Sequence, residues 1–311
     1  MIKGTVLKGV GGLYTVRLDE EYNGETTVQV RGRGSFRHEK LVLLTGDRVE
    51  LQAQGDGSFF CKSILERKNS LIRPPLANLD IIFVVIPCKK PMPSFEIIDK
   101  MISIAEHNKI EPVIIITKAD LDQSFAMDME RIYKNSGFDV IITSSENGDG
   151  VEGVRDYLKA HTQNSAPICA FAGVSGAGKS TLLNAIFPTL SLETGDLSQK
   201  IERGKNTTRH TELFSLKELL SQDCNGYLAD TPGFSLLDFE RFDFFSLEDL
   251  FDTFREFKGS QGMCKYTKCS HTKEDGCHIL ARVKNGEIEK TRHQSYIALF
   301  EILKKKPSWK K

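Results

Sequence analysis

The sequence has no long apolar run. No segment approaches the ~20 consecutive apolar residues that cross a membrane. The first nine residues, Met1 to Gly9, also lack the apolar core of a secretory signal. On these two absences we expect a cytoplasmic protein with no membrane partner. With 311 residues, of which 40% are hydrophobic, the chain is long enough for two or three domains with their own cores.

Cysteine is sparse and unevenly placed. There are seven cysteines, an odd number, and three of them fall between 264 and 277. This crowding favours a metal site in a reducing compartment over a set of disulfides. Net charge is lacking too, since 42 Lys and Arg balance 42 Asp and Glu. The balance conceals a basic C-terminal segment, because from Lys258 onward 13 Lys and Arg face five Asp and Glu, a local charge of +8.

What the chain does contain is a phosphate-binding loop at 173–181. The apolar run 168–172 predicts a buried strand before it, and 181–187 predicts a helix that Pro188 ends. Glycines let backbone N–H groups curl around phosphate oxygens, Lys179 would reach the β- and γ-phosphates, and Ser180 would ligate Mg²⁺. The loop residues predicted to bind the nucleotide are Gly173, Val174, Ser175, Gly176, Ala177, Gly178, Lys179, Ser180 and Thr181.

Two further segments, each after an apolar strand, predict selection of guanine. Thr117-Lys118-Ala119-Asp120 follows the strand 113–116. The Asp120 carboxylate can accept hydrogen bonds from the ring N–H and the amine of guanine, which adenine does not present, and the Lys118 stem would lie along the base. After the strand 140–142, Ser144 and Ser145 stand where GTPases contact the guanine oxygen. The predicted base-binding residues are Thr117, Lys118, Ala119, Asp120, Ser144 and Ser145.

Magnesium is expected at two other segments. Asp230-Thr231-Pro232-Gly233 follows an apolar strand at 227–229 and matches the motif that holds Mg²⁺ through water and senses the γ-phosphate. The polar stretch 203–208 suits a switch loop in which Thr207 or Thr208 ligates the ion. The predicted magnesium residues are Ser180, Asp230 and Thr207 or Thr208, and the predicted catalytic residues are Lys179, Thr207, Thr208, Asp230 and Gly233.

The order of these motifs is unusual. Apolar strands at 81–86, 113–116, 140–142, 168–172 and 227–229 alternate with helices, which predicts a multidomain α/β protein with a mainly parallel sheet and ligands at the carboxyl ends of its strands. The guanine motifs precede the phosphate loop, the reverse of ordinary GTPases, so we predict a circularly permuted P-loop GTPase domain at 68–238. Its first connecting helix would bury Ile97, Met101, Ile104 and Ala105.

Residues 1–67 predict an N-terminal β-barrel of the oligonucleotide-binding (OB) type. Short stretches with β-branched residues are separated by Gly11-Gly12, Asn23-Gly24 and 55–57. The basic segment 31–40, with Phe36 in its middle, suits a nucleic-acid backbone and one stacked base. A solvated surface loop is the alternative at these residues.

Residues 239–311 predict a C-terminal α-helical domain. Ser246 would cap a helix with an apolar face at Leu247, Leu250, Phe251 and Phe254. A second helix at about 290–306 would run into Lys304-Lys305-Lys306, which we expect to be solvated. Its inner face would carry Tyr296, Ile297, Phe300 and Leu303.

The same domain predicts a zinc site. Cys264, Cys269, His271 and Cys277 offer three thiolates and one imidazole within 14 residues. This donor set suits a closed tetrahedral zinc site, and a site with no position open to water is structural.

With the barrel, the permuted motifs and the zinc loop in place, the chain resembles the RsgA (YjeQ) family of small-ribosomal-subunit-dependent GTPases. The resemblance covers nearly the whole length and includes the junction Ile-Arg-Pro-Pro-Leu-Ala-Asn-Leu-Asp at 72–80. It implies a bacterial, cytoplasmic, monomeric enzyme that hydrolyses GTP to GDP and phosphate. It also implies one structural zinc, magnesium with GTP, binding to the small subunit and its rRNA, stimulation by that subunit, and a role late in its maturation.

The chain departs from the family pattern at two positions. Thr117 replaces the usual Asn, which removes an amide contact to the base. Asn206 stands where many members have a His that assists hydrolysis, and His210 is the nearby candidate substitute. Ras-like enzymes orient the attacking water with a glutamine close behind Asp-x-x-Gly. Here Gly233 is followed by Phe-Ser-Leu-Leu at 234–237, so we expect slow hydrolysis by the isolated protein.

Two other functions remain open on the sequence. A phosphate-loop ATPase or kinase would share the loop at 173–181 but would have no use for Asp120. A nucleotide-gated RNA-binding scaffold would bind GTP, with hydrolysis incidental. Preference for GTP over ATP tests the first, and turnover with and without small subunits tests the second.

Overall fold

The structure is a computed structural model, which describes residues 1–31, 42–71, 74–91, 94–144, 146–162, 165–190, 211–230 and 245–305. Within those ranges, none of the helices has the length and hydropathy needed to cross a membrane. The chain forms two compact units. The first comprises Met1–Ile81, Arg155–Phe171 and Thr189–Phe234, and the second comprises Ile82–Val154, Ala172–Pro188 and Ser235–Lys311.

The first unit begins with a closed five-stranded barrel. The strands are β1 (Ile2–Val10), β2 (Leu13–Tyr22), β3 (Glu25–Arg31), β4 (Arg48–Ala53) and β5 (Phe59–Ile64). The barrel closes because β1 pairs with both β2 and β4, while β3 and β5 complete the ring. Alternate residues point inward, so Val6, Val16 and Val49 fill the core. The predicted barrel is confirmed, and β5 is a strand that the sequence pattern missed.

The remaining elements alternate between strand and helix. In chain order they are β6 (Ser70–Leu71), β7 (Leu76–Ala77), β8 (Ile81–Pro87), α1 (Phe95–His107), β9 (Glu111–Thr117), α2 (Gln123–Asn135), β10 (Val140–Ile142), α3 (Val151–Thr162), β11 (Ile168–Ala172), α4 (Lys179–Ile186), β12 (Glu212–Ser215), α5 (Leu216–Leu219), β13 (Tyr227–Asp230), α6 (His278–Lys284) and α7 (Lys290–Lys304).

β12 joins the barrel to the sheet of the first unit. Lys8 of β1 pairs in antiparallel register with Glu212 of β12, and their side chains form an ion pair of 2.9 Å. Beside this pair, the Thr45 hydroxyl donates to the Thr211 carbonyl at 3.0 Å. β12 is antiparallel to β13, and β13 is parallel to β11. Hydrogen-bonded strands therefore run without a break from the barrel to the strand that ends at Asp230.

In the second unit, β8, β9 and β10 lie side by side, with β9 and β10 parallel. β8 is buried at every residue, and β9 at all but its first. Such burial on both faces is what a continuous apolar run predicts. The observed bounds of these strands lie within two residues of the predicted ones.

Two features of the α/β region differ from expectation. In α1 the side chain of Ile97 is 41% exposed, while Ile98 and Ile102 are buried. The predicted face is therefore wrong at Ile97, because the apolar stripe is rotated by one residue. α2 was not predicted, and its start is fixed by Asp122, whose carboxylate accepts from the Phe125 N–H at 3.1 Å.

The predicted helix at Ser246 is wrong. The chain instead forms two 3₁₀ turns, Leu250–Thr253 and Arg255–Phe257. The N–H and hydroxyl of Ser246 both donate to the Asp249 carboxylate, at 2.9 and 2.7 Å, which makes a turn there. Three residues per turn place residues at i and i+3 on one side, and the fully buried Phe254 and Phe257 use that spacing.

α7 confirms the second predicted helix, but its buried face is partly polar. Leu299 and Leu303 are buried, whereas the predicted Ile297 and Phe300 are only half-buried. The same face carries the fully buried Arg292, whose guanidinium contacts Asp99 of α1 at 2.5 Å and Glu256 at 2.8 Å. Removing one member of this network would leave an unpaired buried charge. The network therefore makes the packing of α7 against α1 sensitive to the loss of any one partner.

Candidate functional site

The phosphate loop has the backbone shape that its glycines predict. Gly176 and Gly178 adopt φ of +76° and +90°, in the left-handed region that favours glycine. Gly173 is required for a different reason, since a Cβ there would lie 2.6 Å from the carbonyl oxygen of Val85. α4 begins at Lys179, two residues before the predicted start, so the last three residues of the 173–181 segment form its first turn. The first N–H groups of a helix have no intrahelical acceptor, so this end can bind phosphate oxygens.

Lys179 folds back over the loop. Its ammonium donates to the carbonyl oxygens of Gly173 at 2.7 Å and Val174 at 3.0 Å. Burial lowers the pKa of Lys179 to about 8. A phosphate at this position would raise the pKa of Lys179 again, because an anion favours the ammonium.

The segment 117–120, called here the guanine-side loop, is hydrogen-bonded to the phosphate loop. The buried Thr117 hydroxyl donates to the Ala177 carbonyl at 2.6 Å. Next to it, the Lys118 ammonium donates to the carbonyl of Gly176 at 2.9 Å and to that of Lys90 at 3.1 Å. The threonine that replaces the usual asparagine therefore holds the two loops together. The sequence could not reveal this bond, because the acceptor is a backbone atom.

Asp120 and Ser144 meet at the ends of β9 and β10. The Ser144 hydroxyl donates to the Asp120 carboxylate at 2.6 Å. A cavity of about 200 Å³ opens beside them. Its lining includes Thr117, Lys118, Asp120, Leu121, Glu146, Gly178 and Thr181. The cavity therefore brings the guanine motif together with the end of the phosphate loop, and only the fold makes these two segments adjacent.

Several predicted site residues are not tested by these contacts. Ser145, Thr207, Thr208, His210 and Gly233 lie outside the described residues. The backbone of Asp230 ends β13 opposite Glu212, and its side chain is also outside the described part.

The four predicted metal ligands lie together. One donor atom from each of Cys264, Cys269, His271 and Cys277 lies within 4.8 Å of the other three. The His271 Nδ1 atom is 3.5 Å from Cys264 Sγ and 3.6 Å from Cys277 Sγ, and these two sulfurs are 3.9 Å apart. A tetrahedron with Zn–S bonds of ~2.3 Å has edges of ~3.8 Å, so this donor set fits one zinc ion.

Burial shifts the pKa values of two of the four donors. Burial, followed by the neighbouring Cys277 and Cys264 thiols, raises the pKa of Cys269 to about 12. Burial also lowers the pKa of His271, which favours the neutral imidazole that binds metals. A divalent cation would stabilise the thiolates and offset the cost of desolvating their charge.

Side chains outside the four donors hold the backbone of the ligand loop, and the sequence pattern did not identify them. The Glu274 carboxylate accepts from the N–H groups of Ser270 at 2.9 Å and Thr272 at 3.1 Å. From α7, the His293 ring lies 2.8 Å from the His271 carbonyl, and the Tyr296 hydroxyl donates to the Ser270 carbonyl at 3.2 Å. Partners of this kind fix the direction of metal ligands.

Comparison with known proteins agrees with this arrangement. A family model described as RsgA GTPase matches residues 64–240, and one described as RsgA N-terminal domain matches residues 3–58. The protein named small ribosomal subunit biogenesis GTPase RsgA from Bacillus pumilus is 39% identical over 315 residues, covering 99% of this chain and 100% of that protein. The protein of the same name from Bacillus subtilis is 37% identical over 319 residues, with the same coverage of 99% and 100%.

Solved structures match over the same length. The crystal structure of YjeQ from Thermotoga maritima has a TM-score of 0.80 and 32% identity, covering 98% of this chain and 99% of that one. The structure of YloQ, described as a circularly permuted GTPase, has a TM-score of 0.77 and 34% identity, covering 99% and 98%. The matches extend across the barrel, the permuted nucleotide domain and the Cys/His cluster. The chain therefore belongs to the RsgA family of GTPases.

Proposed function

We propose that the protein binds GTP between its guanine-side and phosphate loops and hydrolyses it during biogenesis of the small ribosomal subunit. One observation carries the nucleotide assignment: Asp120, Lys118, Gly178 and Thr181 line the same cavity, and the guanine-side loop is hydrogen-bonded to the phosphate loop. The biological role is taken from the relatives named above, which match this chain along its whole length.

Each described residue has a distinct role in this proposal. The Asp120 carboxylate accepts from guanine, and its bond from Ser144 fixes its direction. Lys179 exchanges the carbonyls of Gly173 and Val174 for the β- and γ-phosphates. The N–H groups at the start of α4 bind phosphate oxygens.

Magnesium would be held by Ser180 and Asp230, with Thr207 or Thr208 completing the set. The ion neutralises charge on the β- and γ-phosphates. The water-positioning residue is proposed among 203–210, with His210 as the candidate. These residues and Gly233 form the proposed switch.

The Cys/His cluster would hold one structural zinc. Three thiolates and an imidazole leave no position open to water, so the ion stabilises the 264–277 loop and takes no part in hydrolysis. The proposed macromolecular partner is the small ribosomal subunit with its rRNA, bound by a monomer. Such a partner places the protein in the cytoplasm.

Two measurements test the proposal. Equilibrium titration with GTP and ATP should give a large preference for GTP, because adenine offers the Asp120 carboxylate no matching donors. Turnover should be slow for the protein alone and faster with small ribosomal subunits, and large subunits are the matched control. Equal affinity for ATP would favour a phosphate-loop ATPase or kinase instead.

The partner is tested by co-sedimentation with small subunits in three nucleotide states. Tighter binding with a non-hydrolysable GTP analogue than with GDP is expected, because a γ-phosphate contact at Gly233 would order the switch. Equal affinity in both states, together with unstimulated turnover, would favour a scaffold whose hydrolysis is incidental.

A further inference from the structure

A second cavity, of about 560 Å³, lies within the first compact unit. It shares no lining residue with the guanine-side cavity. Its volume falls in the range of about 300–1,000 Å³ that small-ligand sites occupy. Barrel strands contribute Thr5, Arg17 and Arg48 to its lining, while α5 and β13 contribute Lys217 and Tyr227. No sequence motif marks this cavity, because its residues are scattered along the chain.

A row of three residues forms the barrel side of the cavity. Thr5 on β1 lies directly opposite Arg17 on β2 and Arg48 on β4. Their neighbours Val6 and Val16 are buried in the barrel core. Since strand residues alternate between faces, the row points away from that core and into the cavity.

The cations around the cavity fall into two classes. Arg48 is held by the Asp19 carboxylate, with two bonds of 2.6 and 2.5 Å, and it also donates to the Thr5 hydroxyl at 3.0 Å. Lys68 is held by Asp80 at 2.6 Å. These two charges are already neutralised by carboxylates in the same wall.

Arg17 and Lys217 are available by contrast. The Arg17 guanidinium lies 3.6 Å from the exposed Glu218 carboxylate, a loose pair at the surface. Lys217 is exposed and has no partner among the residues that the structure describes. An anion entering the cavity would meet Lys217, which has no partner among the described residues, and Arg17, which is held only by the loose surface pair with Glu218.

Polar groups of other kinds lie beside them. Burial, the largest cause, raises the pKa of the Tyr227 hydroxyl in the lining, so the phenol stays neutral. Glu66 and Asn225 also line the cavity, and neither pairs with another described side chain. A carboxylate and an amide can bind the amino and hydroxyl groups of a nucleobase or ribose.

We propose that this cavity binds one nucleotide of a single-stranded RNA segment. Arg17 and Lys217 bind its phosphate, and Glu66 and Asn225 bind its base or ribose. Arg48 and Lys68, fixed by their carboxylates, keep the wall polar without adding net charge. The assignment of the bound nucleotide to RNA rests on the proposed ribosomal function.

The test uses the full-length protein without GTP and a fluorescein-labelled 12-nucleotide single-stranded RNA of mixed sequence. Arg17→Glu and Lys217→Glu should each weaken RNA binding about tenfold and reduce the slope of log affinity against log salt by about one. Lys62→Glu is the matched control, because Lys62 is exposed on β5 and does not line the cavity. It should change the affinity less than twofold. Unchanged GTP binding in all three variants shows that the fold is intact.

A crosslinking arm separates this cavity from any other RNA contact. RNA that contains 4-thiouridine should crosslink to the peptide that carries Asn225 and Tyr227, as mapped by mass spectrometry. Absence of that crosslink would overturn the proposal, as would equal RNA affinity of the Arg17→Glu, Lys217→Glu and Lys62→Glu variants.

A further arm distinguishes RNA from a free nucleotide. Displacement of the RNA by GMP or inorganic phosphate at equal phosphate concentration would overturn the assignment to RNA. Failure of the proposed GTPase function gives a different result. Equal binding of GTP and ATP would contradict that function and leave every RNA measurement unchanged.

Discussion

The candidate nucleotide site and the candidate metal centre differ in how far apart their residues lie in the sequence. The bond from Thr117 to Ala177 joins residues 60 positions apart, whereas all four metal donors fall within 264–277. The first site is assembled by packing of the α/β unit before any ligand arrives. The second brings three thiols and an imidazole together, and a cation would hold them there, so the cation itself completes the site. GTP should therefore bind to a preformed site, and metal should contribute to folding.

The largest expected effect is at the metal centre. Cys269→Ser should unfold the 264–277 loop and destabilise the adjoining turns by several kcal/mol, because structural zinc binding is folding free energy of about 10 kcal/mol or more. Hydrogen exchange should show lost protection at 245–290, while GTP affinity is retained.

Cys224→Ser is the control, because Cys224 is a buried cysteine outside the cluster. It should leave metal content unchanged. Purified protein without stoichiometric zinc by elemental analysis would contradict the assignment.

The guanine contact comes next. Asp120→Asn should weaken GTP binding more than about a hundredfold, since two charge-assisted bonds of roughly 1.5 kcal/mol or more each are lost. The same variant should gain affinity for xanthosine triphosphate, because an amide can donate to the extra oxygen of xanthine. Competition with fluorescent GTP measures both, and a variant that still prefers guanine would show that Asp120 does not read the base.

Loss of the phosphate contact should have a smaller effect on GTP binding. Lys179→Ala should weaken GTP binding by about 10- to 100-fold, as expected for a charge-assisted contact of ~1.5–3 kcal/mol. Lys62→Ala, on the outside of the barrel, is the control and should have no effect. Equal affinity of the two variants would place the phosphates elsewhere.

A pH series refines this result. Because burial lowers the pKa of Lys179 to about 8, the free protein carries the ammonium below that pH and loses it above. Triphosphate favours the charged form, so binding above pH 8 must take up a proton. GTP affinity should be constant below about pH 7 and about tenfold weaker at pH 9. Lys179→Arg, which stays charged, should abolish the dependence, and a parent protein with constant affinity to pH 9 would contradict it.

The smallest effect is expected at the bond between the two loops. Thr117→Val removes the hydroxyl bonded to Ala177 and leaves a buried carbonyl unpaired, which costs about 1–2 kcal/mol and weakens GTP binding about tenfold. Thr117→Asn can still donate and should bind GTP nearly as well as the parent. If the valine variant matched the parent, the bond would have no part in positioning the base loop.

Much of the α/β region was predictable from the sequence because its strands are buried on both faces. β11 and β10 have the predicted bounds, since continuous apolar runs leave few alternative assignments. The glycine spacing and the lysine after it predicted a loop that leads into a helix, and the left-handed backbone at Gly176 and Gly178 agrees with that prediction.

The features that were missed depend on partners distant in sequence. Arg292 is on a buried face only because Asp99 and Glu256 neutralise it. The turns after Ser246 were mistaken for a helix, since apolar residues at i and i+3 fit both periods. The bond from Thr117 ends on a backbone atom, and the 560 Å³ cavity draws its lining from many separate segments. No local pattern encodes such arrangements.

The pairing of β1 with β12 has a consequence for the protein during its own translation. The five barrel strands pair among residues 2–64, so the barrel can close soon after it leaves the exit tunnel. Lys8 can pair with Glu212 only after a further 204 residues have been synthesised, and the sheet of the first unit is incomplete until then.

The permuted order adds to this delay. The guanine-side loop is synthesised before the phosphate loop, and β13 follows both. Closing contacts over such separations is slow, and the part of the β1 edge at Lys8, beyond the residues paired with β4, stays unpaired in the meantime. The lining of the guanine-side cavity is complete only at Thr181, so a nascent chain of this protein cannot use GTP to stabilise its fold until more than half of it has been made.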